Sequence, residues 1–403
     1  MKVSPITISK ATICNIAFLL LFKTFFGQQN FSFDEVLYKN TLLKNVSANK
    51  TKYKLQIIYT QINRDSYGTP NFKNYTYNVD STTYFYCASL VKLPCSIMAL
   101  EKLNELQIDK NTIMFTDSAY TCQHSVKSDT TNINGYPSIA QYIKRMLLVS
   151  DNHAYGRVYE FLGVDYLHHR LFNLGYKNMR IVHRFDGGCK GIEHITTNPV
   201  SFYSSDLKLI SHQKQQTSKN TYTNPIGTVK IGKAYIDAKN KKIQKPKDFT
   251  EMNYISLQNI HSVLQRLVFN EYSSKTYRYN LSKSDQEFLL KYLTMYPRES
   301  KYPTYSNTYF DSYKKYFIYG DSKKQITNED ISITNIVGQS YGFMIDCAYI
   351  KNKKENIDFM LSAVIYANED GVINDGKYEY NTIALPFLAE LGRQIYDFEL
   401  KRN

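Results

Sequence analysis

The order in which two hydrophobic periods alternate along the chain is the strongest constraint on its fold. Residues 53–62 and 71–79 place aromatic and aliphatic side chains at every second position, and residues 340–350 and 357–367 do so again near the C-terminus; all four read as strands. Between them the spacing turns helical. Leu93, Ile97, Leu100 and Leu103 mark a helix over 90–106, with Pro94 tolerable only in its first turn, and further helices read at 139–148, 154–162 and 256–269. A capping box of Ser284 and Glu287 opens another that runs to Met295, and one of Ser32 and Glu35 opens a helix at the start. The chain ends on a helix over 384–400, where Pro386 suits the first turn. The expectation is a mixed α/β chain of the α+β kind: a sheet subdomain of residues 28–88 and 330–403, and an all-helical subdomain of 89–329. Residues 201–250 are polar and lysine-rich, with 228–237 alternating like one arm of a hairpin, and read as an inserted loop and hairpin.

Composition narrows the class. With 403 residues and 43% hydrophobic content the chain can bury a sizeable core, and its spread of aromatic residues argues against long disordered segments. A formal charge of +14 would favour anionic partners, but the lysines are scattered and no run of five like charges occurs. That reads as a solvated surface, with no nucleic-acid partner expected. Residues 1–27 have the layout of a secretory signal peptide: Lys2 and Lys10 form a basic head, residues 11–22 an apolar stretch, and Phe25-Phe26-Gly27 leads into polar Gln28-Gln29. The apolar stretch is short of the roughly 20 residues that span a bilayer. Cleavage after Gly27 would leave a periplasmic or secreted monomer of residues 28–403 with no membrane span; an uncleaved anchor is the alternative. Cys87, Cys95, Cys122, Cys189 and Cys347 then remain, an odd number that leaves at least one free thiol, and they read chiefly as small buried hydrophobes. There is no C-x-x-C, and His168-His169 has no partner at ligand spacing, so neither metal nor cofactor is expected.

Two short motifs carry chemistry. Ser89-Leu90-Val91-Lys92 places a hydroxyl and an amine one helical turn apart on one face, at a helix N-terminus whose backbone N–H groups face the point of attack. A lysine there takes the serine's proton if burial or nearby positive charge makes it neutral. Ser150-Asp151-Asn152 follows 61 residues after Ser89, on the link between two predicted helices. Its hydroxyl can relay a proton to a departing nitrogen and its Asn amide can hold a substrate carbonyl, although all three residue types are also favoured helix caps.

Together with Tyr86-Cys87-Ala88 before and Leu93-Pro94 after the first motif, this arrangement resembles the class A β-lactamase family, over most of residues 30–400. The resemblance implies a β-lactamase/transpeptidase-like fold, an antiparallel sheet flanked by N- and C-terminal helices. It implies Ser89 as nucleophile, Lys92 as its base, Ser150 as proton relay and Asn152 as substrate holder. The family's third motif, K-T-G on a strand beside the site, falls on Ile336-Val337-Gly338, so Ile336 stands where a lysine would anchor the substrate carboxylate and keep Lys92 neutral. Gly338 and Gln339 would then line the substrate, with the backbone N–H groups of Ser89 and Gln339 as oxyanion hole. For the acid that activates the deacylating water, Arg184-Phe185-Asp186-Gly187-Gly188 offers Asp186 first, with Glu193 second. A small-molecule β-lactam or a peptidoglycan peptide is the implied partner. A binding module that keeps the groove but not turnover is the competing reading, favoured by Ile336 and the loop acid.

Overall fold

Strand alternation decides the layers of the molecule. In the computed structural model, which describes residues 31–119, 122–185 and 189–402, β1 (Gln56–Arg64), β2 (Pro70–Tyr77), β3 (Ile331–Ser340), β4 (Phe343–Asn352) and β5 (Ile357–Tyr366) form one sheet in the order β3-β4-β5-β1-β2. Every neighbouring pair is antiparallel. Successive side chains point to opposite faces, so each strand feeds two cores. Ile57 and Tyr59 of β1, Met344 and Ala348 of β4, and Leu361 and Ile365 of β5 pack with the short helices α1 (Phe33–Leu37) and α2 (Thr41–Ala48) and with the C-terminal helix, whose Phe387, Leu388 and Leu391 join the same cluster. Ile58, Ile345, Cys347, Met360 and Val364 face the other way, into a larger core with the helices of the middle segment.

Those helices are α3 (Lys92–Glu105), α4 (Ile139–Val149), α5 (Asn152–Leu162), α6 (Val164–Asn173), α7 (Leu257–Val268) and α8 (Lys283–Thr294), with α9 (Leu385–Arg402) closing the chain. α7 lies on the sheet and is pinned there by His261, whose ring nitrogens meet Thr60 Oγ1 of β1 and Ser362 Oγ of β5, both at 2.7 Å. Between β3 and β4 the chain turns on Tyr341 and Gly342, with φ of 53° and 85°, the two-residue turn whose backbone twist matches the flanking strands.

Local details differ from the sequence expectation where an equally good local signal competes. Ser32 makes no side-chain cap to α1, whereas Asn40 caps α2 by accepting from Leu42 N at 2.8 Å. α8 starts on Ser282 with Asp285 as its box partner rather than on Ser284 with Glu287, because Asp285 is also held by Lys110 and Asn104. The middle segment is not all helix. Ile113–Thr116, Val200–Tyr203 and Leu209–Gln213 make a small sheet, so the polar stretch 201–250 begins inside paired structure. Its hairpin pairs Ala234–Ile236 with Lys242–Ile243 and adds Val372–Ile373 as a parallel neighbour, which ties the insertion back to the C-terminal part.

Cysteine usage needs correction too. Cys122 and Cys189 form a disulfide with Cα atoms 5.0 Å apart, while Cys87, Cys95 and Cys347 are the buried thiols. A separation of 67 residues carries no local signal for that pairing. Residues 1–27 and Asp186 lie outside the described residues. Among the described residues no helix is long and apolar enough to cross a membrane.

Two expectations follow from the burial pattern. His168, His183 and His261 are each pushed down to about 4 from a usual 6.5, in every case chiefly by desolvation. The folded protein holds them neutral while the unfolded chain takes up protons below about pH 6.5, so stability is full above that pH and declines toward pH 4. Each histidine contributes on the order of 3 kcal/mol to that decline, and urea midpoints measured from pH 7 to 4 should fall steeply. The second concerns Ile336, which is 0% exposed in the larger core. Ile336→Lys would bury an ammonium at a cost of several kcal/mol, and a markedly lower melting temperature is expected; an unchanged one would mean that the strand accepts a cation there.

Candidate active site

The turn that presents Ser89 is built under strain. Residues Ala88–Val91 form a 3-10 turn that leads into α3, and Ala88 sits at φ 44°, in the left-handed region that non-glycine residues avoid. β3 passes close beneath: a Cβ on Gly338 would lie 2.8 Å from the Cys87 carbonyl oxygen and 3.3 Å from Leu90 Cγ. Glycine at 338 is therefore what allows the strand to run against the turn that carries Ser89. Gln339 and Ser340 continue along the mouth of the same cavity.

Lys92 opens α3 with its side chain wholly buried. Its amine donates to Ser89 Oγ at 2.9 Å, to Ser150 Oγ at 2.9 Å, to Asn152 Oδ1 at 2.7 Å and to the Ser150 carbonyl. Ser150 Oγ lies 2.6 Å from Ser89 Oγ. Both motifs thus converge on one amine, and a buried ammonium or amine with that many oxygen partners meets the condition for a polar group inside a protein. The Phe185 ring covers it, 5.6 Å from the amine to the centroid.

Ser150 reaches inward because it ends α4 in the left-handed conformation, at φ 61° and ψ 37°. Asp151 then caps α5 by accepting from Ala154 N at 3.0 Å. Burial alone would raise the Asp151 carboxyl, but Ala154 N–H and the Arg145 guanidinium together hold it below the usual range. Arg145 also pairs with Asp129, so the turn is clamped from both sides. The capping role expected of Ser150-Asp151-Asn152 falls to its middle residue alone, which leaves Ser150 and Asn152 free for Lys92.

The cavity over this cluster has a volume of about 570 Å³. Ser89, Ser150, Asn152, Val337 and Gln339 line it together with four tyrosines, Tyr313, Tyr316, Tyr378 and Tyr380. Ile336 is not on this surface, as strand alternation requires when Val337 is. Lys314 is, and nothing in its surroundings in the sequence marked it: Tyr313-Lys314-Lys315-Tyr316 has no helical or strand period. The Glu193 carboxylate is turned back on its own 3-10 turn, where it accepts from Lys190 N at 2.8 Å. Asp186 is outside the described residues, next to Phe185. Among the described residues no group of His, Cys, Asp and Glu has the arrangement of a metal site.

Known proteins bear on this geometry at two levels. PBP-A, a solved structure, superposes with a TM-score of 0.50 at 12% identity over 90% of this chain and 97% of its own. A β-lactamase from Chitinophaga pinensis gives 0.49 at 12% identity over 89% and 99%, and a class A β-lactamase from Clostridium kluyveri 0.46 at 12% over 88% and 97%. At such identity the likeness to PBP-A speaks for the fold, a β-lactamase/transpeptidase-like sheet with flanking helices. No curated protein matches the sequence. The family-level match is broader than any motif, for residues 40–398 fit the Beta-lactamase enzyme family from before the first sheet strand to within the last helix, and the chain belongs to that family.

Proposed function

We propose that this protein is an exported serine hydrolase that opens β-lactams through an acyl-enzyme on Ser89. The hydrogen-bonded cluster of Ser89, Lys92 and Ser150 at the floor of an open cavity carries the reading, since it holds a nucleophile, a base and a second proton carrier within direct reach of one another. In the first step Ser89 Oγ attacks the lactam carbonyl carbon while its proton passes to Lys92 Nζ. Negative charge on the carbonyl oxygen is met by the backbone N–H groups of Ser89 and Gln339. The carbon–nitrogen bond then breaks, the nitrogen takes the Ser150 hydroxyl proton, and Lys92 returns its proton to Ser150. Asn152, already bonded to Lys92 through its Oδ1, has an amide N–H left for the substrate's acyl side chain.

Hydrolysis of the ester needs an activated water. Asp186 is the residue proposed for that, and its side chain is one methylene shorter than a glutamate. The second candidate, Glu193, is engaged by Lys190 N in its own turn. Deacylation is therefore the slow step, and that feature favours a second reading, a penicillin-binding peptidase whose own substrate is a cell-wall peptide. The Cys122–Cys189 bridge fits an oxidising compartment outside the cytoplasm and supports export.

Labelling of the mature protein with a fluorescent penicillin should give one covalent adduct, and Ser89→Ala should abolish it. Intact-mass measurement should show the adduct persisting for minutes or longer after free drug is removed. Labelling that survives Ser89→Ala would overturn the assignment of the nucleophile, and rapid steady-state hydrolysis with no visible adduct would overturn slow deacylation.

A further inference from the structure

A penicillin carries a carboxylate beside its scissile amide, and a cation lining the cavity would orient it. β3 supplies none, because Ile336 is buried in the core and Val337 and Gln339 are uncharged; the lysines that line the cavity are Lys314 and Lys323, and the Lys323 amine lies over the Phe310 ring, 5.4 Å from its centroid. We propose that Lys314, on the turn ahead of β3, is the residue that receives the substrate's carboxylate, a role that rests on the acyl-transfer reading above.

Lys314 lines the same cavity as Ser89 and Ser150 although it is only 5% exposed. Its amine donates to the carbonyl of Leu147, which lies three residues before Ser150 at the end of α4. That bond sets the amine at the carboxyl end of the helix that ends on Ser150. An ammonium has three N–H donors, and no second acceptor among the described residues engages this one, so two remain for a ligand. The adjacent Lys315 is the informative contrast. It is equally buried, but its amine is saturated by the carbonyls of Leu293 and Ile333, each at 2.7 Å, and by Asn335 Oδ1 at 2.8 Å, and it does not line the cavity. One lysine is fully used by the fold and its neighbour is not.

The turn itself is held in place for this. Asn335 Nδ2 donates to the Lys314 carbonyl at 2.5 Å and to Asp346 Oδ1 at 2.8 Å, and Asp346 Oδ2 accepts from Tyr316 N and Phe317 N, both at 3.1 Å. Asn335 and Asp346 sit on β3 and β4, so the sheet that lacks a lysine at Ile336 grips the segment that brings one. Burial drives the Lys314 amine down to about 7, opposed by the Asp346 carboxylate; an anion arriving at the two open N–H groups favours its charged form.

The test reads binding without acylation. In a Ser89→Ala protein, benzylpenicillin and its methyl ester are titrated calorimetrically, with and without Lys314→Met, and melting temperature is followed throughout. The acid should bind at least tenfold more tightly than the ester. Lys314→Met should remove that preference by weakening the acid alone, Lys314→Arg should keep part of it, and Lys315→Met should lower the melting temperature while leaving the acid-to-ester ratio unchanged. Equal affinity for acid and ester in the protein that retains Lys314 overturns the proposal without recourse to any Lys314 variant. So does a Lys314→Met protein that loses both ligands equally, or failure of the acid to bind at all. Because Ser89 is absent, a failure of penicillin to acylate the native protein leaves this result standing by itself.

Discussion

The site depends on one buried amine. Lys92 sits at the start of α3, in contact with Ser89 on its own turn and with Ser150 and Asn152 on the link between α4 and α5. Taking a lysine out of water is expensive unless its donors are matched, and docking the α4–α5 link onto α3 matches them with Ser150 and Asn152. The same contacts that make the lysine tolerable bring the two serine hydroxyls within 2.6 Å. One constraint thus holds the whole arrangement: if the link moved away, the amine would lose three of its oxygen partners and the hydrogen-bonded cluster would come apart with them.

A second group of buried charges frames the other side of the cavity. Lys314, Lys315, Asn335 and Asp346 are all nearly inaccessible, and the carboxyl of Asp346 is pushed up to about 7 by desolvation against the pull of Asn335 and the backbone N–H groups of the turn. Such networks are retained where geometry matters more than net stability, because one missing partner leaves an uncompensated buried group. Here the network fixes the backbone of residues 314–317, and through it the position of the Lys314 amine against the Leu147 carbonyl at the end of α4. Family membership alone would direct attention to the strand position occupied by Ile336. The lysines that line the cavity, Lys314 and Lys323, instead lie outside the sheet.

Two positive-φ residues position the hydroxyls of Ser89 and Ser150: Ala88, next to Ser89, and Ser150 itself. Each costs conformational energy that the surrounding structure must over-determine. For Ser150 this is done by Asp151, held between the α5 N-terminus and Arg145. For Ala88 it is the close passage of Gly338 against the Cys87 carbonyl. Both constraints hold the two hydroxyls within reach of the Lys92 amine.

What the sequence by itself determined was everything that short spacing encodes. Ser89 and Lys92 are three residues apart and Ser150 and Asn152 two, so each pair shares a turn wherever the chain goes; the helical and strand periods that surround them set the order of layers, because burial of one face follows directly from periodicity. Tertiary structure decided what depends on distant partners. Nothing local told Ser282 from Ser284 as the cap of α8, since the choice was made by Lys110 and Asn104 on another element. Nothing paired Cys122 with Cys189 or separated Lys314 from Lys315, two adjacent residues of one type. Their difference is which of the two amines finds three acceptors in the core and which is left facing the cavity with one, and that is settled only when the sheet, α4 and α8 have come together.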